Sequence, residues 1–177
     1  TPVVSASRSP ERLVDAPATV IVLTRADLEG RGYTELSQIL DDLPGMDVVR
    51  SYGANYFKDY WRGYRNDIGD PFLVMVDGQA FNHLWFGTAD TPLVSYPVSA
   101  VERVEVVYGP ASAVYGTNAF MGVINLITRR APAADGFSLR GGLTGGSFGT
   151  RIADLQAGFR RGGLAVTFAA RTDQGGM

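Results

Sequence analysis

Two apolar, β-branched runs bound the stretch from Val101 to Arg130, VERVEVVYGPASAVYGTNAFMGVINLITRR, and leave it few ways to fold. Val104, Val106 and Val107 belong to the first run, which Gly109-Pro110 stops. Val123, Ile124, Leu126 and Ile127 form the second, which Thr128 and two arginines end. β-Branched side chains fit a pleated strand, and a Gly-Pro pair interrupts one. The reading is a strand, a tight turn, a short helix-like loop, a second glycine turn and another strand. Gly109, Gly116 and Gly122 are expected where φ is positive or where a Cβ would clash.

Upstream the pattern alternates between strand and helix. Residues 18 to 23 read as a short buried strand. Thr24-Arg25-Ala26-Asp27 is a capping-box start, with an acidic residue three positions after the cap. Gly30 and Gly32 keep that helix short. A second start at Thr34 places Leu36, Ile39, Leu40 and Leu43 at i, i+3, i+4 and i+7, one apolar helix face. Pro44-Gly45 ends it, and Met46 to Arg50 continues as a strand. Residues 51 to 70 form a loop dense in aromatic and polar groups. Phe72 to Val76 is a buried strand, Asp77-Gly78 a hairpin-type turn, and Phe81 to Phe86 a second aromatic loop.

Past Pro132 the period becomes two. Phe137, Leu139, Gly141 and Leu143 alternate with Ser138, Arg140, Gly142 and Thr144. Ala153, Leu155, Ala157 and Phe159 alternate with Asp154, Gln156, Gly158 and Arg160, and Leu164, Val166, Phe168 and Ala170 follow in the same way. Segments of about 9 to 11 residues with this alternation are what a membrane-spanning β-barrel strand needs. A soluble antiparallel sheet carries a similar pattern.

These residues together resemble the plug domain of TonB-dependent outer-membrane receptors. In that family an ER-x-E-V strand precedes GP-x-S-x-x-YG and then A-x-x-G-V-I-N-x-x-T. The matching residues are Glu102, Arg103, Glu105, Val106, Gly109, Pro110, Ser112, Tyr115, Gly116, Ala119, Gly122, Val123, Ile124, Asn125 and Thr128. Val22, Thr24, Asp27, Leu28, Leu36, Leu40, Pro44, Gly45 and Val48 match its upstream half, and Arg62-Gly63 with the Asp77-Gly78 hairpin match the middle. The resemblance implies an α/β plug domain, a small mixed sheet with short helices, over 18–131. An N-terminal arm occupies 1–17, and 132–177 opens the first antiparallel strands of a transmembrane β-barrel. About three strands are present where the smallest such barrels have about eight. A barrel must close, since lipid leaves unpaired edge groups unsatisfied. The chain is therefore read as a truncated or cleaved piece, or as a subunit whose barrel another chain completes.

The family further implies energy-coupled uptake of a scarce nutrient, foremost a ferric siderophore, with cobalamin, haem, glycan and peptide as alternatives. Thr1, Pro2, Val3, Val4, Ser5, Ala6 and Ser7 resemble the TonB box. Such an extended arm would add a strand to the sheet edge of TonB; the plain alternative is a frayed terminus. Arg62, Glu102, Arg103 and Glu105 match the family's latch between plug and barrel wall, with a solvated strand edge as the alternative. Tyr108 stands where the family often has arginine. Tyr56, Trp61, Tyr64, Arg65, Asn82, His83, Trp85 and Phe86 are candidate ligand contacts, since rigid aromatics with hydrogen-bonding neighbours make binding surfaces. Packing against the inner wall is their other use. Expected partners are TonB with its inner-membrane energising complex, the rest of the barrel, a small-molecule or metal-chelate ligand and outer-membrane lipid. The expected location is the outer membrane, with the arm in the periplasm. A binding scaffold that reuses the plug fold is the competing class.

Composition narrows the remaining options. Net charge is -2, which gives no electrostatic footprint for nucleic acid. Lys58 is the single lysine among 16 basic residues, and there is no cysteine, so no disulfide framework or thiolate site exists. No apolar run reaches the length of a transmembrane helix, and the first residues lack a signal-peptide pattern, as expected of a mature exported form. Gly109 to Gly116 is two residues too long for a phosphate loop and no lysine follows. His83 is the single histidine, so a hydrolytic triad would rest wholly on it. No catalytic role, no metal and no cofactor is expected.

Overall fold

The computed structural model describes residues 2–3, 5, 11–12, 18–50, 57–64, 69–83, 87–89, 96–116 and 118–175. In chain order the elements are β1 (Pro2–Val3), β2 (Glu11–Arg12), β3 (Thr19–Thr24), α1 (Arg25–Arg31), α2 (Leu36–Asp41), β4 (Met46–Arg50), β5 (Phe57–Trp61), β6 (Phe72–Val76) and β7 (Gln79–Ala80). Then come β8 (Val101–Tyr108), α3 (Ser112–Tyr115), β9 (Gly122–Thr128), β10 (Gly136–Gly145), β11 (Arg151–Arg161) and β12 (Leu164–Gln174).

The two β-branched runs are β8 and β9, and they lie side by side in a five-stranded sheet of order β3-β8-β9-β6-β7. β8 is antiparallel to both β3 and β9, whereas β6 runs parallel to β9, which makes the sheet mixed. One face carries Leu23, Phe72, Val74, Val104, Val106, Ile124 and Leu126, which pack with Leu28, Leu36, Ile39, Leu40 and Leu43 from the helical layer. The other face carries a smaller cluster of Leu73, Met75, Val107, Ala119 and Val123. Strands buried on both sides need near-continuous apolar runs, as FLVMV provides.

The helices follow their caps. The Thr24 hydroxyl accepts from the Asp27 N–H, and Asp27 Oδ2 accepts from the Thr24 N–H at 2.8 Å, so the capping box expected from the sequence is formed. Gly32 closes α1 at φ +67. α2 begins later than the pattern indicates, with Glu35 as N-cap instead of Thr34. Gln38 Oε1 draws the N–H groups of both Thr34 and Glu35, at 2.7 and 3.3 Å, which leaves Thr34 outside the helix. Leu43 lies past the helix end but stays buried, so the apolar face survives the shorter helix.

β10, β11 and β12 form a separate antiparallel meander with continuous register from Gly136↔Arg160 to Arg161↔Leu164. Its outer face exposes Phe137, Leu139, Leu143, Phe159, Leu164, Val166 and Phe168. Ile152, Gln156 and Gly158 face the other way and are buried. A large uncovered apolar face opposite a polar inner one is the architecture of the first strands of a transmembrane barrel. Gly158 is packed tightly on the inner face: a Cβ there would lie 2.7 Å from Ser138 Oγ and 3.2 Å from the Pro132 ring.

Candidate functional site

On the second face of the plug sheet the apolar pattern breaks twice, at Glu105 in VEVV and at Asn125 in VINLI. These two residues are register partners across β8 and β9, and both are buried, Glu105 completely. A buried carboxylate needs charge and donors around it. Arg103, two residues earlier on the same face, gives Oε1 both Nε and Nη2 at 2.8 Å. The donors to Oε2 come from the arm: Ser5 contributes its backbone N–H at 3.0 Å and its hydroxyl at 2.7 Å. Asn125 Nδ2 donates back to the Ser5 hydroxyl at 2.9 Å, while Asn125 Oδ1 accepts the Gly78 N–H at 3.1 Å. One residue of the arm is thus held at a junction of two strands, beside the β6–β7 turn.

The turn is itself fastened. Asp77 adopts φ +50, an unusual value for a non-glycine residue. Its carboxylate accepts the Thr128 N–H and hydroxyl, which ties the turn to the end of β9. Thr1, Val4, Ala6 and Ser7 of the TonB-box-like segment lie outside the described residues. Pro2 and Val3 pair with Arg12 and Glu11. An unattached arm was expected; at Ser5 the arm is instead seated against the plug.

At the opposite end of the sheet the sequence-based assignments separate. Trp61 is fully buried, 5.3 Å from the Phe72 ring and 5.1 Å from the Tyr108 ring, and its indole lies where a Cβ on Gly122 would be. This corrects its reading as a ligand contact: the sheet end needs a large filler where Gly122 leaves room. Asn82 is corrected likewise. Its Oδ1 accepts from Val74 N–H, and its Nδ2 donates to the Phe72 and Gly87 carbonyls, so it serves as a splint for the loop backbone. Tyr64 remains partly exposed beside Phe120, at a ring distance of 6.0 Å, and His83 is exposed with its backbone bonded to Gly87 and Thr88. Tyr56, Arg65, Trp85 and Phe86 lie outside the described residues.

Of the latch residues, Arg103 binds Glu105, one of the mutual bonds that the family resemblance implies, and Glu102 faces Arg129, with Nε 3.6 Å from Oε2. Arg62 stacks over the Tyr108 ring at 5.7 Å. Burial raises the Tyr108 pKa, and the Arg62 charge works against that rise. Across the seam to the wall, Ser99 Oγ donates to Asp154 Oδ1 at 3.4 Å. Arg129 and Asn125 were not singled out for a role by sequence reasoning; a polar residue inside an apolar run was the available signal for Asn125. Among the described residues no three His, Asp or Glu side chains converge as a metal site would require.

A mixed α/β sheet with an N-terminal arm seated on it, followed by an amphipathic antiparallel wall, defines a barrel-plugging unit. Residues 12–123 match the model of the TonB-dependent receptor plug domain, and the chain belongs to that family. Its structure is similar to the alcaligin outer-membrane receptor FauA from Bordetella pertussis, with a TM-score of 0.76 and 21% identity over 98% of this chain and 29% of that one. The siderophore receptor PiuA from Acinetobacter baumannii aligns at TM-score 0.70 and 27% identity, over 94% of this chain and 22% of that one. The ferric-catecholate import receptor Fiu from E. coli aligns at 0.69 and 23%, over 99% and 25%. The chain thus spans less than a third of the length of these solved receptors.

Proposed function

We propose that the chain is the plug of a TonB-dependent outer-membrane transporter that gates energy-coupled uptake of a scarce nutrient, a ferric siderophore in the first place. The single observation that carries this reading is the seating of Ser5. An arm held by two hydrogen bonds to one carboxylate can be released by a pull, and its departure opens Glu105 and Asn125 to water. Release is favoured to be all or none, because partial withdrawal would leave a buried carboxylate oxygen short of its donors. TonB would take the arm by strand addition on the periplasmic side. Ligand would arrive at the opposite end of the sheet, where Tyr64, His83, Trp85 and Phe86 cluster by sequence. The siderophore assignment is supported by the receptors the fold resembles. The wall's apolar face would meet outer-membrane lipid, and no step of the reading requires catalysis.

The test is Val4→Pro in the full-length receptor. Proline removes a ladder donor and fixes φ, which blocks strand addition. Uptake of radio-iron from a panel of hydroxamate and catecholate chelates is expected to fail, with surface binding retained. Uptake equal to wild type would overturn the arm's role. Trp85→Ala is expected to weaken chelate binding at least tenfold, since truncating an aromatic hot spot costs about 2 kcal/mol or more.

A further inference from the structure

Two clefts of about 640 Å³ each run along the seam between the plug and the β10–β11 wall, a size usual for small-molecule sites. Arg129, Arg140 and Gln156 line both, so they stand where the clefts meet. Arg140 and Gln156 are direct cross-strand partners on the wall, and Arg129 approaches from the plug, just past β9. We propose that this junction binds a small carboxylate- or phosphate-bearing anion from solution.

Three features of the junction point to that ligand. Gln156 is only 9% exposed, and its side chain lines both clefts. The Arg129 side chain is 7% exposed, and its Nε lacks a hydrogen-bond partner, with Glu102 held off at 3.6 Å. The charges also do not balance. Among the described residues that line the clefts, Arg25, Arg129, Arg130 and Arg140 meet only Glu29 and Glu102, since Arg103 is engaged by Glu105 and Asp154 by Arg171. That leaves an excess of two positive charges. Burial, then the neighbouring Arg25 and Arg140 charges, lower the Arg129 pKa, a repulsion that an anion would relieve.

A planar carboxylate or a phosphate matches this donor set. Guanidinium groups offer forked N–H donors, and the Gln156 amide supplies a neutral one. The source is a solute instead of a lipid headgroup, because the site is on the inner wall face, opposite the apolar face that Leu139 and Leu155 expose. The site stands whether or not the arm is a transport handle. In a transporter it would be a resting place for anionic cargo beside the plug.

The experiment is calorimetric titration of the purified full-length receptor, in neutral detergent at low salt, with citrate and separately with inorganic phosphate. Saturable binding that weakens as salt rises is expected. Arg140→Gln and Gln156→Leu are each expected to weaken it at least tenfold with an unchanged melting temperature. Arg140 is exposed, so its change leaves the core intact. Absence of saturable binding in the wild type would overturn the proposal, as it would if other parts of the receptor filled the junction. Binding that both variants retain at wild-type strength would overturn it as well. Detergent free of lipid excludes a headgroup as the source of any signal.

Discussion

Glu105 and Asn125 stand opposite each other on β8 and β9, and the hydroxyl of Ser5 bridges them, donating to Glu105 Oε2 at 2.7 Å and accepting from Asn125 Nδ2 at 2.9 Å. A residue near the chain's start therefore closes a polar gap in the middle of an apolar sheet. Arg103 is the ion-pair partner of Glu105, and Ser5 adds two donors from the arm.

Ser5→Ala removes the hydroxyl donor to Oε2. Leaving a buried acceptor short costs about 1 to 3 kcal/mol, which moves the ratio of docked to released arm by roughly five- to 150-fold. Faster amide exchange of the arm is expected in hydrogen-exchange mass spectrometry, with the sheet core unchanged. Glu105→Gln is expected to act in the same direction. If arm exchange is the same in both variants as in the wild type, the arm is not held by this carboxylate.

Trp61→Ala empties the sheet end where Phe72, Tyr108 and Gly122 meet. Large-to-small changes of a buried tryptophan cost about 3 to 5 kcal/mol. A clear fall in melting temperature is expected, whereas Tyr64→Ala, at a partly exposed ring, leaves stability within about 1 kcal/mol. Equal melting temperatures for the two variants would place Trp61 outside the core.

Gly122 and Gly116 are needed for different reasons. A Cβ on Gly122 would lie 2.3 Å from the Val107 carbonyl oxygen and 2.6 Å from the Trp61 ring, whereas Gly116 has open space but φ +91. Gly122→Ala must shift backbone and is expected to lose several kcal/mol, in the range of overpacked cores, about 1 to 3 or more. Gly116→Ala pays for backbone strain alone, since φ +91 with ψ −166 is a region essentially reserved to glycine, about 1 to 3 kcal/mol. Denaturant titration of both variants checks the order, and the reverse order would contradict the packing at β9.

Asp27 gives the helix cap a pH dependence. Its carboxyl is held below the usual carboxylate range, first by the Thr24 hydroxyl and then by the Thr24 N–H. A depressed folded pKa contributes stability that is present above the unfolded pKa and is lost as pH falls through the folded one. α1 is therefore expected to loosen in acid, as pH falls below the ordinary carboxylate range. Asp27→Asn should flatten that acid limb in exchange measurements on α1 at its amides. Thr24→Ala is expected to destabilise the helix by about 1 kcal/mol at neutral pH.

Much of this protein was fixed by local chemistry. The β-branched runs at Val101–Tyr108 and Gly122–Thr128, the Thr24 capping box and the period-two alternation after Pro132 each declare an element from neighbours a few residues away, so the plug and the wall strands were legible before any coordinates. Gly109, Gly116 and Gly122 were legible too, because a turn or a close approach leaves glycine little competition. What only the tertiary structure decided is which polar and aromatic groups share a partner. Trp61 and Tyr64 lie in one aromatic segment, yet the first fills the core and the second meets solvent, since Trp61 ends β5 and Tyr64 lies beyond the turn at Arg62 and Gly63. Glu105 matched a latch motif, but its donors come from Ser5, 100 positions earlier, and no local pattern encodes a contact that long. The approach of Arg129 to Arg140 and Gln156 across the seam is of the same kind. Hydrophobic periodicity records which face a residue takes; burial of charge depends on what arrives from elsewhere in the chain to cover it.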